Sequence, residues 1–137
     1  MTVYVDSSAL LRFVLGEPGA LALLQDAELV SSELLAVECL RTIDRLTAQG
    51  RLSFDHAARR RGLALDRLET VDLVLLRRPI LARASEPFTA PLGTLDALHL
   101  ATLLAWRESH GVPVMLATHD RDLAVAARAY GVEVHGV

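Results

Sequence analysis

The chain has 137 residues and is 52% hydrophobic, which is enough apolar material for one packed core and excludes a disordered chain. We therefore expect a single domain over residues 1–137. Its net charge of −3 excludes a protein that holds nucleic acid by bulk positive charge. All 14 basic residues are arginine, which excludes lysine chemistry, and the single Cys39 excludes an internal disulfide or a cysteine zinc site.

The chain contains no segment that is typical of a membrane span or a secretory leader. No uncharged apolar run reaches the ~18 residues that a span requires. Acidic Asp6 interrupts the first apolar stretch, which is unlike a leader peptide. We therefore expect a cytoplasmic protein without membrane contact. The high apolar content has two interpretations: a core on both faces of a sheet, or an exposed surface that binds a partner.

Short apolar runs alternate with longer helical segments along the chain. Strands separated by helices predict the α/β class, with a mostly parallel sheet covered by helices on both faces. In such folds, ligands bind beyond the carboxyl ends of the strands. Ser32 and Thr94 are the predicted N-caps of two long helices. In chain order we predict a strand at 2–5, helices at 7–15 and 20–25, a strand at 29–30, helices at 33–48 and 54–69, a strand at 71–75, helices at 77–84 and 95–110, a strand at 114–117, a helix at 120–130 and a strand at 132–134.

Four acidic residues are candidates for a functional site: Asp6, Glu38, Asp96 and Asp120. Asp6 and Asp120 both lie just past a predicted strand, and Asp96 lies at an otherwise apolar helix start. A charge held near a core is costly unless something compensates it. Several carboxylates without a histidine or cysteine ligand suit a hard cation, Mg²⁺ or Mn²⁺.

Each acid also has a purely structural interpretation. Asp6, Asp96 and Asp120 could stabilise the starts of helices, and Glu38 could pair with Arg41 on the surface of its own helix. The residues around the acids leave further alternatives open. His99 could pack in the core or donate a hydrogen bond to the acids, and His119 could contact substrate or be an exposed loop histidine. Hydroxyl groups that could orient the carboxylates belong to Ser7 and Thr118.

Two groups of arginines could contact the phosphate backbone of a nucleic acid. The first comprises Arg59–Arg61 with Arg67, and the second comprises Arg77, Arg78 and Arg83. Arginine binds phosphate in a bidentate way. The alternative for the first group is a solvated helix face paired with Asp55, Asp66 and Glu69. The sequence offers no aromatic platform on which bases could stack.

Four stretches, read together, resemble a known family. They are VYVDSSAL at residues 3–10, ELLAVECLR at 33–41, LGTLDALHLA at 92–101 and ATHDRDL at 117–123. Their order and spacing resemble the PIN-domain nucleases and, within them, the VapC-type toxins of type II toxin–antitoxin systems. The resemblance extends over nearly the whole chain.

The resemblance implies a three-layer α/β/α fold with a parallel five-stranded sheet. It implies a catalytic site of Asp6, Glu38, Asp96 and Asp120 that hydrolyses RNA with Mg²⁺ or Mn²⁺. Asp6, Asp96 and Asp120 would hold the metal, with Asp6 and Asp96 as the most direct ligands. Glu38 and Asp120 would act through waters or on the attacking water. The Thr-x-Asp pattern selects Asp120 over Asp122. The partners implied are an RNA substrate, a VapB-like antitoxin and a second copy of the chain.

Two other functions compete with this interpretation. A phosphatase or phosphoacceptor could use Asp6 as a nucleophile, but haloacid-dehalogenase-like enzymes need an acid at the position of Ser8, and receiver domains need a lysine. The second alternative is a catalytically inactive PIN-fold module that binds RNA or protein. Nuclease activity in the presence of Mg²⁺ or Mn²⁺ distinguishes it from the enzyme.

Overall fold

Five strands and six α-helices account for most of the chain in a computed structural model, which describes residues 1–137. Apart from one predicted helix that is reduced to a single turn, every predicted helix and strand is present, with shifts of a few residues at some ends. The strands are β1 (Thr2–Val5), β2 (Glu28–Ser32), β3 (Val71–Val74), β4 (Met115–Ala117) and β5 (Val134–His135). The helices are α1 (Ser7–Val14), α2 (Leu34–Ala48), α3 (Phe54–Leu68), α4 (Arg78–Ala84), α5 (Thr94–His110) and α6 (Arg121–Ala129).

The five strands form one sheet in the order β3-β2-β1-β4-β5, and every neighbouring pair is parallel. This confirms the predicted α/β class and the parallel five-stranded sheet. The central strand β1 pairs with β2 on one side and with β4 on the other. Because the chain leaves β1 toward β2 and reaches β4 only later, the strand order reverses between β1 and β4. Ligands of parallel sheets bind at such a point.

Two apolar clusters lie on opposite faces of the sheet, because side chains alternate along each strand. Val3 and Val5 of β1 belong to the cluster formed with α1, α2 and α3. Tyr4 belongs to the other cluster, which is formed with α5 and α6. The result is the predicted three-layer arrangement. None of the helices combines the length and the apolar character that crossing a membrane requires.

Some predicted boundaries were wrong. Thr94 is already helical, and the residue with the extended backbone of an N-cap is Gly93, which has no side chain to offer. Ser32 ends β2, although its hydroxyl still accepts the Leu34 amide at 3.2 Å. The helix predicted at 20–25 is only a 3₁₀ turn at Ala22–Leu24. Val132 packs in the core instead of starting β5.

Candidate active site

The carboxyl ends of β1 and β4 bring two segments of the site side by side. Asp6 directly follows β1, and Thr118 directly follows β4. The two strands are paired, and the Asp6 amide donates to the Ala117 carbonyl at 3.3 Å. The local sequence therefore projects the side chains of Asp6 and Thr118 from the same edge of the sheet, at the point where the strand order reverses.

The Asp6 carboxylate is buried, with 3% of the residue exposed, and both of its oxygens accept hydrogen bonds. One oxygen accepts from the Ser8 hydroxyl at 2.7 Å and from the Ala9 amide at 3.0 Å. The other accepts from the Thr118 hydroxyl. Burial raises the pKa of Asp6, and the hydroxyl and amide donors oppose this effect. Asp6 is also the N-cap of α1, so its structural interpretation is correct as well.

The Glu38 carboxylate is held at both oxygens by residues of two other helices. One oxygen lies 2.5 Å from Nε2 of His99 on α5, and the other accepts from the Ser7 hydroxyl on α1 at 2.9 Å. The alternative pairing of Glu38 with Arg41 is wrong, since Arg41 pairs with Asp44 at 2.8 Å. Glu38 therefore points from α2 toward the starts of α1 and α5.

A buried series of hydrogen bonds leads through Tyr4 and His99 to Glu38 and holds its carboxylate in place. The Ser32 amide donates to the Tyr4 hydroxyl oxygen at 3.1 Å, and that hydroxyl lies 2.9 Å from Nδ1 of His99. Because an ionised Glu38 carboxylate only accepts, the neutral ring carries its proton on Nε2 and donates it to Glu38. Nδ1 then has no proton and accepts from the Tyr4 hydroxyl. Burial raises the pKa of Tyr4, which keeps its hydroxyl protonated. His99 thus both packs in the core and donates to one of the acids, Glu38.

Asp120 is the N-cap of α6, and its carboxylate accepts from the Leu123 amide at 2.8 Å. Its own amide donates to the Thr118 hydroxyl at 3.0 Å, and the same hydroxyl donates to Asp6. Thr118 therefore links the two acids through one oxygen atom. Asp122, the neighbouring acid, is exposed in the first turn of α6.

The half-buried Asp96 carboxylate accepts no hydrogen bond from the chain, although it lies in the first turn of α5. Its pKa is raised to about 6. Burial is the largest cause, followed by the negative charges of Asp120 and Asp6, with His99 acting in the opposite direction and Glu38 adding to the increase. The four predicted acids are therefore close enough for their charges to interact.

The donor chemistry of these acids fits a hard divalent cation. All four offer carboxylate oxygens, and their mutual repulsion decreases when a cation binds. No group of three or more His, Cys, Asp or Glu side chains converges closely enough to form a complete ligand set. Mg²⁺ does not require such a set, because it keeps several waters and binds through one or two carboxylates. Asp96, which lacks a protein partner, is the acid most available to a metal.

Several residues of the two predicted arginine groups already contact other parts of the chain, so only some of them are available to bind RNA. Arg60 donates to the Val14 carbonyl at the end of α1 at 3.1 Å. Arg67 donates to the Leu24 carbonyl and lies 4.9 Å over the Phe13 ring. None of the ion pairs joins the first group to the acids expected to pair with it. In the second group, Arg83 pairs with Glu108 at 2.7 Å.

His119 is neither free nor fully exposed, in contrast to the alternative of an exposed loop histidine. Its ring Nδ1 lies 3.0 Å from the Gly136 carbonyl, and its amide donates to the Ser8 hydroxyl at 2.9 Å. His119 therefore supports the loop between β4 and α6 and lies beside Ser8, which in turn contacts Asp6.

Comparisons with known proteins agree with this architecture. The structure resembles the crystal structure of PAE2754 from Pyrobaculum aerophilum, with a TM-score of 0.62, 20% sequence identity and coverage of 98% of this chain and 89% of the other. At that identity, the likeness concerns the fold alone. The curated proteins contain no match. The family model of the PIN domain matches residues 3–129, which is nearly the whole chain. The chain therefore belongs to the PIN domain family.

Proposed function

We propose that this protein is an endoribonuclease that hydrolyses RNA phosphodiester bonds with Mg²⁺ or Mn²⁺, and that it is the toxin of a toxin–antitoxin pair. PIN domains are generally metal-dependent nucleases. One observation carries the proposal for this chain: Asp96 has no protein partner, and its pKa is raised to about 6 by burial and by the charges of nearby acids. Such a group is suited to binding a cation.

In this proposal, Asp6, Asp96 and Asp120 hold the metal. A bound Mg²⁺ or Mn²⁺ lowers the pKa of a coordinated water and offsets charge on the phosphate. Asp6 is rigid because three donors hold it. Asp120 has one oxygen bound to the Leu123 amide and the other available. Asp96 contributes a carboxylate that no residue of the chain engages.

Glu38 acts on the attacking water. Each carboxylate oxygen has two lone pairs, so Glu38 can accept a further proton donor while His99 and Ser7 hold it. The water oxygen bonds to phosphorus as its proton moves toward Glu38. The bond between phosphorus and the leaving ribose oxygen breaks, and that oxygen takes a proton from solvent.

The activity test uses Asp96→Asn, because this substitution removes a charge without removing a hydrogen bond from the chain. We expect cleavage of purified structured RNAs in Mg²⁺ or Mn²⁺ to fall about 10³-fold, the scale of losing an electrostatic group at a reacting centre. Asp122→Asn, an exposed acid of the same type, is the matched control and keeps activity. Equal activity of wild type and Asp96→Asn contradicts the proposal. A wild type that is inert with both metals supports the alternative of an inactive PIN-fold module.

The proposed partners are a VapB-like antitoxin and a second copy of the chain. Exposed apolar side chains support a partner surface, with Phe54 86% and Val125 52% exposed. The apolar side chains of α1, such as Val14, do not belong to this surface because they pack against the core.

The toxin role is tested by expression in cells. Expression should arrest growth, and Asp96→Asn should abolish the arrest. Co-expression with the adjacent reading frame should relieve the arrest and yield a complex, and failure of both results contradicts the toxin role. Light scattering of the purified chain tests the dimer.

A further inference from the structure

A surface cavity of about 370 Å³ opens beside the acids and extends beyond the site described above. Two residues of that site, Ser7 and Glu38, are part of its lining. The rest of the lining comes mainly from one face of α2, with Leu95 from the start of α5. A ligand that lies in this groove therefore reaches Glu38 directly.

Two arginines of α2 supply positive charge along the groove. Arg41 and Arg45 follow Glu38 by three and seven residues, which places them about 5 and 10 Å farther along the helix axis. The ion pair of Arg41 with Asp44 is exposed, with 68% and 60% of the two side chains accessible. Such pairs contribute about 0–1 kcal/mol, so a phosphate can replace Asp44. Arg45 is exposed and donates a hydrogen bond to the Thr42 hydroxyl at 3.3 Å, and it forms no ion pair.

Two exposed aliphatic side chains complete the groove. Val37 is 59% exposed and Leu95 is 47% exposed, and both line the cavity. A ribose or a base can pack against such side chains. Because they are aliphatic and carry no hydrogen-bonding groups, this contact does not distinguish one base from another.

We propose that this groove binds the single strand of RNA on one side of the phosphate that is cleaved, with Arg41 and Arg45 contacting successive phosphates. The inference rests on the proposed ribonuclease activity and specifies how its substrate is held. Charge complementarity favours RNA over a protein partner. The acids of the site repel the phosphates of RNA, and the two arginines of this groove offset that repulsion. A single strand fits better than a duplex, since recognition of double-stranded RNA spans ~16 base pairs of surface.

The test measures binding without cleavage. The probe is a fluorescein-labelled single-stranded RNA of mixed sequence, about 12 nucleotides long, bound to the Asp96→Asn protein in Mg²⁺ and followed by anisotropy. Adding Arg41→Gln and Arg45→Gln should weaken binding about tenfold and reduce the slope of log K against log salt by about 1.4, or ~0.7 for each phosphate contact. The control, Arg51→Gln with Arg128→Gln, removes the same charge from exposed positions outside the two candidate arginine groups and should change affinity less than about twofold.

Two results would overturn the inference. One is an unchanged affinity and salt slope in the groove variant, which leaves the surface to a protein partner. The other is an equal loss in the control, which shows only a general effect of net charge. Failure of the ribonuclease proposal is distinguishable, because it appears as a wild type that cleaves no RNA while the groove variant still loses binding.

Discussion

The four acids divide into two pairs with opposite local chemistry. Asp6 and Glu38 accept five hydrogen bonds between them, from hydroxyl, amide and imidazole donors. Asp96 accepts none, and Asp120 accepts one. The first pair is oriented by the protein alone. The second pair keeps oxygens free, so their repulsion is offset only when something positive binds.

This difference separates stability from function at one site. A carboxylate with a full set of donors contributes to folding, and its removal leaves buried donors unpaired. A carboxylate without donors, close to other negative charges, destabilises the folded chain until a cation arrives. Substituting Asp6 or Glu38 should therefore lower the free energy of unfolding, whereas substituting Asp96 should raise it. Asp120 lies between these cases, because it is also the N-cap of α6.

The largest effect on stability is expected for Asp6→Ala. It removes the N-cap of α1 and leaves the Ala9 amide and the Ser8 and Thr118 hydroxyls without their acceptor. The cost should be about 2–4 kcal/mol in the free energy of unfolding, measured with urea. Thr118→Val removes only one of these donors and keeps the carboxylate, so it should lower the free energy of unfolding by less. An Asp6→Ala protein as stable as wild type would show that the donors do not depend on this carboxylate.

A smaller effect is expected for Tyr4→Phe. The change deletes a buried hydroxyl that accepts from the Ser32 amide and donates to His99, so it should cost about 1–3 kcal/mol. It should also leave Nδ1 of His99 without its hydrogen-bond donor, which shifts the Nδ1 resonance in ¹⁵N spectra of the imidazole. The control is Tyr130→Phe, since Tyr130 is 38% exposed. An unchanged Nδ1 resonance in Tyr4→Phe would show that the Tyr4 hydroxyl does not donate to His99.

The smallest effect has the opposite sign. The pKa of Asp96 is about 6 in the folded protein, against an ordinary value of 3.8. The folded state thus binds more protons than the unfolded state between these values, and stability should fall as pH rises from about 4 to 6. Asp96→Asn should stabilise the metal-free protein by roughly 1–2 kcal/mol near pH 7.5, a value reduced because the residue is half-exposed, and by nothing near pH 3.5. Destabilisation near neutral pH would contradict the division into two pairs.

The fold follows largely from the sequence, because its signals are local. The alternation of apolar runs with helical segments predicts the parallel sheet, and the positions of Asp6 and Asp120 after strands predict the functional edge. The prediction of Thr94 as the N-cap of α5 was wrong, because the extended backbone at Gly93 decides where α5 begins. The roles assigned to Glu38 and Asp96 came from the family resemblance and not from periodicity.

What the sequence could not supply are contacts between distant residues. Tyr4 and His99 are 95 positions apart, and His99 and Glu38 are 61 apart, so no local pattern joins them. One signal was present: a histidine amid the apolar residues of α5 needs a partner when it is buried. The groove was missed for a similar reason, because Arg41 and Arg45 stood apart from the conspicuous arginine clusters.

The central claim is that Asp96 lacks a partner because it binds a divalent metal, and calorimetric titration of the metal-free protein with Mn²⁺ tests it most directly. Wild type and the exposed control Asp122→Asn should bind Mn²⁺ with equal affinity, and Asp96→Asn should bind at least about tenfold more weakly. Equal affinity in all three proteins, or no binding in wild type, would contradict the account.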